Sequence, residues 1–199
     1  AAPDIIHIDP EDEQSHSSFV PVDPFEIIVF GGTGDLARRK LLPALYHRFC
    51  DGQIPPSSRI IGVSRTGMNT DEYKTRIHDA YETFSTADDY DDKCWTDFEA
   101  LLDYHMIDVG DEKADWDGLK SKLSGNPDIV RVFYLAMPPR LFADICEGLK
   151  KAGLVTKNAR VVLEKPIGSN YETALAINEG VGRVFSENNI YRIDHYLGK

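Results

Sequence analysis

The feature that most constrains this chain is the stretch Gly31-Gly32-Thr33-Gly34-Asp35-Leu36-Ala37, set directly after the run Phe25-Glu26-Ile27-Ile28-Val29-Phe30. A short, almost wholly apolar and β-branched run predicts a strand buried on both faces, as in a parallel sheet. Glycines lack a Cβ, so they permit a tight turn and the close approach of another group. A helical stretch is predicted from about Leu36 to Cys50, so the G-x-G-x-x-[G/A] turn opens a helix. The N–H groups and dipole of a helix start favour a negative charge. Strand, turn and helix together predict a cradle for a dinucleotide pyrophosphate, with Ala37 small enough for close helix–sheet packing. A P-loop is excluded, because no Gly-Lys-Ser/Thr ends the turn.

The alternation continues along the chain. Further strands are predicted at about 59–63, 105–107, 129–135, 160–163 and 190–193, and helices at about 71–84, 88–103, 113–123, 141–151 and 171–185. Apolar strands alternating with helices predict an α/β fold, Rossmann-like and doubly wound: a mainly parallel sheet with helices on both faces. Pro43 is expected to bend the first helix, and Trp95 and Trp116 are read as packing residues. Residues 1–24 carry six acidic residues, four prolines and no Lys or Arg, so they read as an acidic, disordered tail before a cofactor domain over 25–199. The acidic segment from Asp88 to Asp117 lacks the spacing of a calcium loop and reads as a solvated face; no metal site is expected.

The net charge of −11 argues against non-specific nucleic-acid binding and against anionic membranes. No apolar run reaches the length of a membrane span, and the N-terminus lacks the basic start of a signal peptide. Three cysteines, Cys50, Cys94 and Cys146, show neither metal-ligand spacing nor a redox pair, which points to a reduced, cytoplasmic setting.

The second strand runs into Gly62-Val63-Ser64-Arg65-Thr66. An NAD site usually carries an acidic residue there, for the ribose 2′-hydroxyl. Here Arg65 takes that place, and a guanidinium flanked by the hydroxyls of Ser64 and Thr66 suits a 2′-phosphate, so NADP is expected.

Three segments resemble one family. Gly31 to Leu41 is similar to its cofactor turn, Glu164-Lys165-Pro166-Ile167-Gly168 to its E-K-P-[FL]-G segment, and Arg192-Ile193-Asp194-His195-Tyr196-Leu197-Gly198-Lys199 to its substrate signature. The family is glucose-6-phosphate 1-dehydrogenase. The resemblance implies hydride transfer from C1 of glucose 6-phosphate to NADP, giving the lactone in the first step of the pentose phosphate pathway. It also implies cofactor contacts from Gly31, Gly32, Thr33, Gly34, Asp35, Leu36, Ser64, Arg65, Met137, Pro138 and Lys165. His195, Tyr196 and Lys199 match the residues that hold the sugar phosphate, with Lys165 and Lys40 as further substrate contacts. Asp194 matches an aspartate that orients a histidine base, and the bond before Pro166 is expected to be cis.

In the family that base, further sugar contacts and the surface that makes a homodimer or homotetramer lie in a C-terminal domain with no match here. The fragment alone is therefore expected to be inactive. The alternatives are a free-standing NADP-binding module and another NADP-dependent hexose dehydrogenase.

Overall fold

A computed structural model of the chain describes residues 22–85 and 90–194. Six parallel strands form one sheet: β1 (Phe25–Phe30), β2 (Arg59–Ser64), β3 (Leu102–Met106), β4 (Val130–Leu135), β5 (Ala159–Glu164) and β6 (Ile190–Ile193). Their spatial order is β3-β2-β1-β4-β5-β6. The chain builds outward from β1 to β3, then returns to the other side of β1. The strand order therefore reverses between β1 and β4, which opens a crevice at their carboxyl ends. The register aligns those ends, pairing Phe30 with Val63 of β2 and with Leu135 of β4.

Alternate residues of β1 feed two cores. Ile27 and Val29 face helices α1 (Leu42–Cys50), α2 (Thr70–Phe84) and α3 (Asp92–Glu99), where Tyr46, Tyr81, Trp95 and Phe98 interlock. Ile28 and Phe30 face α4 (Trp116–Lys122), α5 (Phe142–Lys151) and α6 (Tyr171–Gly182), whose Leu119, Ile145, Leu149 and Val181 are buried. Helices thus cover both faces, as the alternating pattern predicts. Among the described residues no helix is long and apolar enough to cross a membrane.

Four local expectations are corrected. The first helix is not uniform: residues Ala37–Leu41 wind as a π-helix, and the Leu42 N–H donates to the Ala37 carbonyl. Pro43 lies in the first turn of α1, where its missing N–H costs little. The wider π winding upstream spares the carbonyl that a proline ring would otherwise strike.

Among the described residues, the helix predicted over 88–103 runs only over Asp92–Glu99, and β3 begins at Leu102. Leu102 and Tyr104 point into the core, and Asp103 is not a solvated acid: it bonds the Thr70 hydroxyl at 2.6 Å and the Lys122 ammonium at 2.9 Å. Burial raises the Asp103 pKa, but the bonds from Thr70, Lys122 and the Tyr104 N–H outweigh it and hold the carboxyl below its ordinary range.

The last long helix stops at Gly182 rather than near Phe185, whose ring is buried beside Phe133. Finally, the cysteines do include a pair. Cys50 at the end of α1 and Cys94 in α3 form a disulfide, because the two helices pack side by side; Cys146 is free and buried. Spacing along the chain does not reveal a pair 44 residues apart. The expected tail lies almost wholly outside the described residues.

Candidate active site: two joined clefts at the sheet edge

The glycine turn is held by backbone bonds to both neighbouring strands. The Gly31 and Gly32 N–H groups both donate to the Val63 carbonyl, at 2.8 and 3.1 Å, and the Ala136 N–H donates to the Phe30 carbonyl at 2.9 Å. Gly31 has a φ of +83°, and a Cβ there would lie 2.1 Å from the Ala136 carbonyl oxygen. No other residue fits this position. Gly32 is buried, and its Cβ would meet the Gly62 Cα at 2.8 Å, so it serves strand packing. The Gly34 N–H closes the turn on the Gly31 carbonyl at 2.9 Å.

Two clefts open along this edge. The first, of about 450 Å³, is lined by Gly31, Thr33 and Gly34, by Ser64-Arg65-Thr66, and by Met137, Pro138 and Arg140. That volume suits a small-molecule site. Its glycines leave backbone open to the cleft, and the hydroxyls of Ser64 and Thr66 with the Arg65 guanidinium are donors of the kind a phosphorylated dinucleotide needs. The second cleft, of about 510 Å³, is lined by Glu164, Lys165, Pro166 and Gly168, and shares Met137, Pro138 and Arg140 with the first.

The second cleft is built on the segment after β4, on the end of β5 with the loop that follows it, and on α6, with the end of β6 alongside. The Lys165–Pro166 bond is cis, as expected, and Lys165 is exposed. The Lys165 N–H donates to the Ile193 carbonyl at 3.0 Å, which sets Asp194, one residue on, beside Lys165. The Tyr134 hydroxyl donates to Glu164 Oε1 at 2.6 Å. Burial, then the hydrogen bond to Glu164 and its charge, raises the Tyr134 pKa, so that phenol remains a donor. Arg192 is anchored to Asn178 and Glu187, which fixes the end of β6 to α6 and to the turn before it.

The structure thus gathers Gly31, Thr33, Gly34, Ser64, Arg65, Met137, Pro138, Lys165 and Asp194 at one edge. Asp35, Leu36 and Lys40 do not line either cleft: Asp35 pairs with Arg38 at 2.9 Å, Leu36 packs against the core, and Lys40 is exposed on the π-helix. His195, Tyr196 and Lys199 lie outside the described residues. Sequence reasoning passed over Asp108 and Gly110, which line the first cleft beyond β3, and the paired rings of Tyr73 and Tyr104 beneath it. Only the place of Asp108 just past a strand could have marked it.

Residues 28–199 match the family model described as glucose-6-phosphate dehydrogenase, NAD binding domain. A glucose-6-phosphate 1-dehydrogenase of Gluconobacter oxydans is 51% identical over 182 residues, which cover 91% of this chain and 37% of that protein. The crystal structure of glucose-6-phosphate 1-dehydrogenase from Mycobacterium avium superposes with a TM-score of 0.77 at 34% identity, over 86% of this chain and 36% of that one. A glucose-6-phosphate dehydrogenase solved with its substrate glucose 6-phosphate gives a TM-score of 0.75 at 29% identity, over 90% and 38%. The chain therefore spans well under half the length of the relatives it matches. A strand order that reverses beside a glycine turn, and a match over nearly all of the described domain, place the chain in the glucose-6-phosphate dehydrogenase family, as its NAD-binding domain.

Proposed function

We propose that the protein containing this chain oxidises glucose 6-phosphate to its lactone with NADP, and that this chain supplies the cofactor cleft and one wall of the sugar site. The observation that carries this reading is the junction of the two clefts at Met137–Arg140. The glycine turn of the first cleft lies on one side of it and Lys165 of the second on the other. NADP held in the first cleft would supply the hydride acceptor for C1 of the sugar.

The chain's own residues position the two reactants. Gly31–Gly34 would cradle the pyrophosphate, and Met137 and Pro138 would border the nicotinamide. Lys165 would lie between cofactor and sugar, its ammonium donating to the sugar. The 6-phosphate is held by His195, Tyr196 and Lys199. As C1 loses its hydride, the 1-hydroxyl loses a proton to a base. The described histidines do not fill that role: His47 faces Tyr81, His78 bonds Tyr90, and His105 meets the Asp115 carbonyl. Asp194 orients a histidine from elsewhere in the protein, in the manner of other Asp–His pairs. The same further part of the protein makes the homodimer or homotetramer, and the charged metabolites it acts on support a cytoplasmic setting.

The test is NADPH formation by the full-length protein with glucose 6-phosphate and with glucose. Turnover that needs the phosphate supports the reading. Equal rates with both sugars point to a different hexose dehydrogenase, and cofactor binding without turnover points to a binding module.

Arg65 has its own expected outcome. Arg65 is exposed on the rim of the first cleft. Arg65→Ala weakens NADP binding by about one to two orders of magnitude, the size of a charge-assisted contact, and leaves NAD nearly unchanged. Titration with each cofactor decides this, and equal losses would remove the 2′-phosphate role.

A further inference from the structure

Beneath the Arg65 turn lies a pair of packed tyrosines, Tyr73 and Tyr104. Tyr104, on β3, is 3% exposed, yet its hydroxyl reaches three atoms of the turn after β2. It lies 2.7 Å from Ser64 Oγ, 2.5 Å from the Thr66 carbonyl oxygen and 3.2 Å from the Ser64 carbonyl oxygen. A phenol carries one proton and accepts as well. The consistent arrangement is that Tyr104 donates to the Thr66 carbonyl and accepts from the Ser64 hydroxyl. Ser64 Oγ in turn accepts from the Thr66 N–H at 3.2 Å. The residue enclosed by these bonds is Arg65.

The Tyr104 ring is fixed from the other side. Tyr73 packs on it with ring centroids 5.1 Å apart, and the Tyr73 hydroxyl donates to the Gly32 carbonyl at 3.1 Å. Tyr73 lies against Gly62, where a Cβ would come within 2.3 Å of its ring. One aromatic pair therefore joins the pyrophosphate turn to the turn that carries Arg65. Burial raises the pKa of both phenols, so both stay protonated donors near neutral pH.

We propose that Tyr104 is a positioning residue for cofactor choice: through Ser64 and Thr66 it holds the Arg65 turn in the geometry that receives a 2′-phosphate. The proposal rests on the NADP reading of Arg65. An exposed arginine on a free turn must be ordered when its ligand binds, and preorganising the turn removes part of that cost. The benefit falls on NADP alone, because NAD offers nothing to Arg65.

The test is a binding titration of full-length protein with NADP and with NAD for Tyr104→Phe, Arg65→Ala and the double variant, with thermal melts of each. Tyr104→Phe is expected to weaken NADP by about fivefold to tenfold, as for one lost hydrogen bond, and NAD by less than about twofold. In the Arg65→Ala background it is expected to change the NADP-to-NAD ratio no further, since it acts through Arg65. Equal losses for both cofactors, no loss at all, or a Tyr104→Phe protein that does not fold would each overturn the proposal, the hydroxyl then being merely structural. If Arg65→Ala itself leaves the ratio unchanged, the 2′-phosphate reading fails first and the proposal falls with it. If only Tyr104→Phe leaves it unchanged, the proposal alone fails.

Discussion

Arg131→Met is expected to lower stability by about 3–5 kcal/mol, the cost of breaking a buried ion pair from one side. For a domain of this size that is a fall in melting temperature of roughly 6–20 °C. Arg131 is the second residue of β4 and Glu26 the second residue of β1, with side chains 5% and 1% exposed. Arg131 Nε donates to Glu26 Oε2 at 3.0 Å, and its other nitrogens donate to the Leu154 and Ser124 carbonyls at 3.1 and 3.0 Å. The other Glu26 oxygen accepts the Ser124 N–H. One guanidinium thus ties β1, the loop after α4 and the loop after α5 together at the edge opposite the clefts. Without it, the carboxylate stays buried with one backbone partner. The double variant Glu26→Leu/Arg131→Met removes both charges and is expected to regain more than half of the loss. Thermal melts of the three proteins decide it. A single variant within about 1 kcal/mol of the parent would mean that water reaches Glu26 and the pair is not buried in solution.

Reduction of the Cys50–Cys94 bridge comes next in size. It closes a loop of 44 residues, for which chain entropy predicts about 4 kcal/mol and measured bridges of this kind give about 2–4. The expected fall in melting temperature on adding a thiol reductant is roughly 4–16 °C. Cys50→Ala/Cys94→Ala should melt at the reduced protein's temperature and ignore the reductant. Cys146 does not complicate the reading, because burial pushes its thiol up to about 12 and keeps it out of exchange. Thiol counting after alkylation checks the same claim independently: one reactive group in the oxidised, denatured protein and three in the reduced one. Identical melts with and without reductant would show that the bridge contributes nothing. In a reducing cytoplasm the bridge is expected to be open, so the same count on protein alkylated inside the cell also tests the cytoplasmic setting.

The chain's own order determined the β1 strand, the glycine turn and the alternation of strands with helices. Each depends on neighbours a few residues apart: β-branched runs for strands, glycines for the turn, 3.6-residue spacing for helices. The geometry of the glycine turn and the place of Arg65 just after β2, on the rim of the same cleft, were legible for the same reason, since each is a short segment next to a strand end. Tertiary structure alone decided the rest. Glu26 with Arg131 lies 105 residues apart, Cys50 with Cys94 44, and Tyr104 with Thr66 38. The early start of β3 belongs with them, because Asp103 is accepted in a strand only where Lys122 and Thr70 arrive to meet it. A polar group enters a core when a partner from another element neutralises it. Which partner arrives is set by strand order and crossovers, and local sequence carries no record of either.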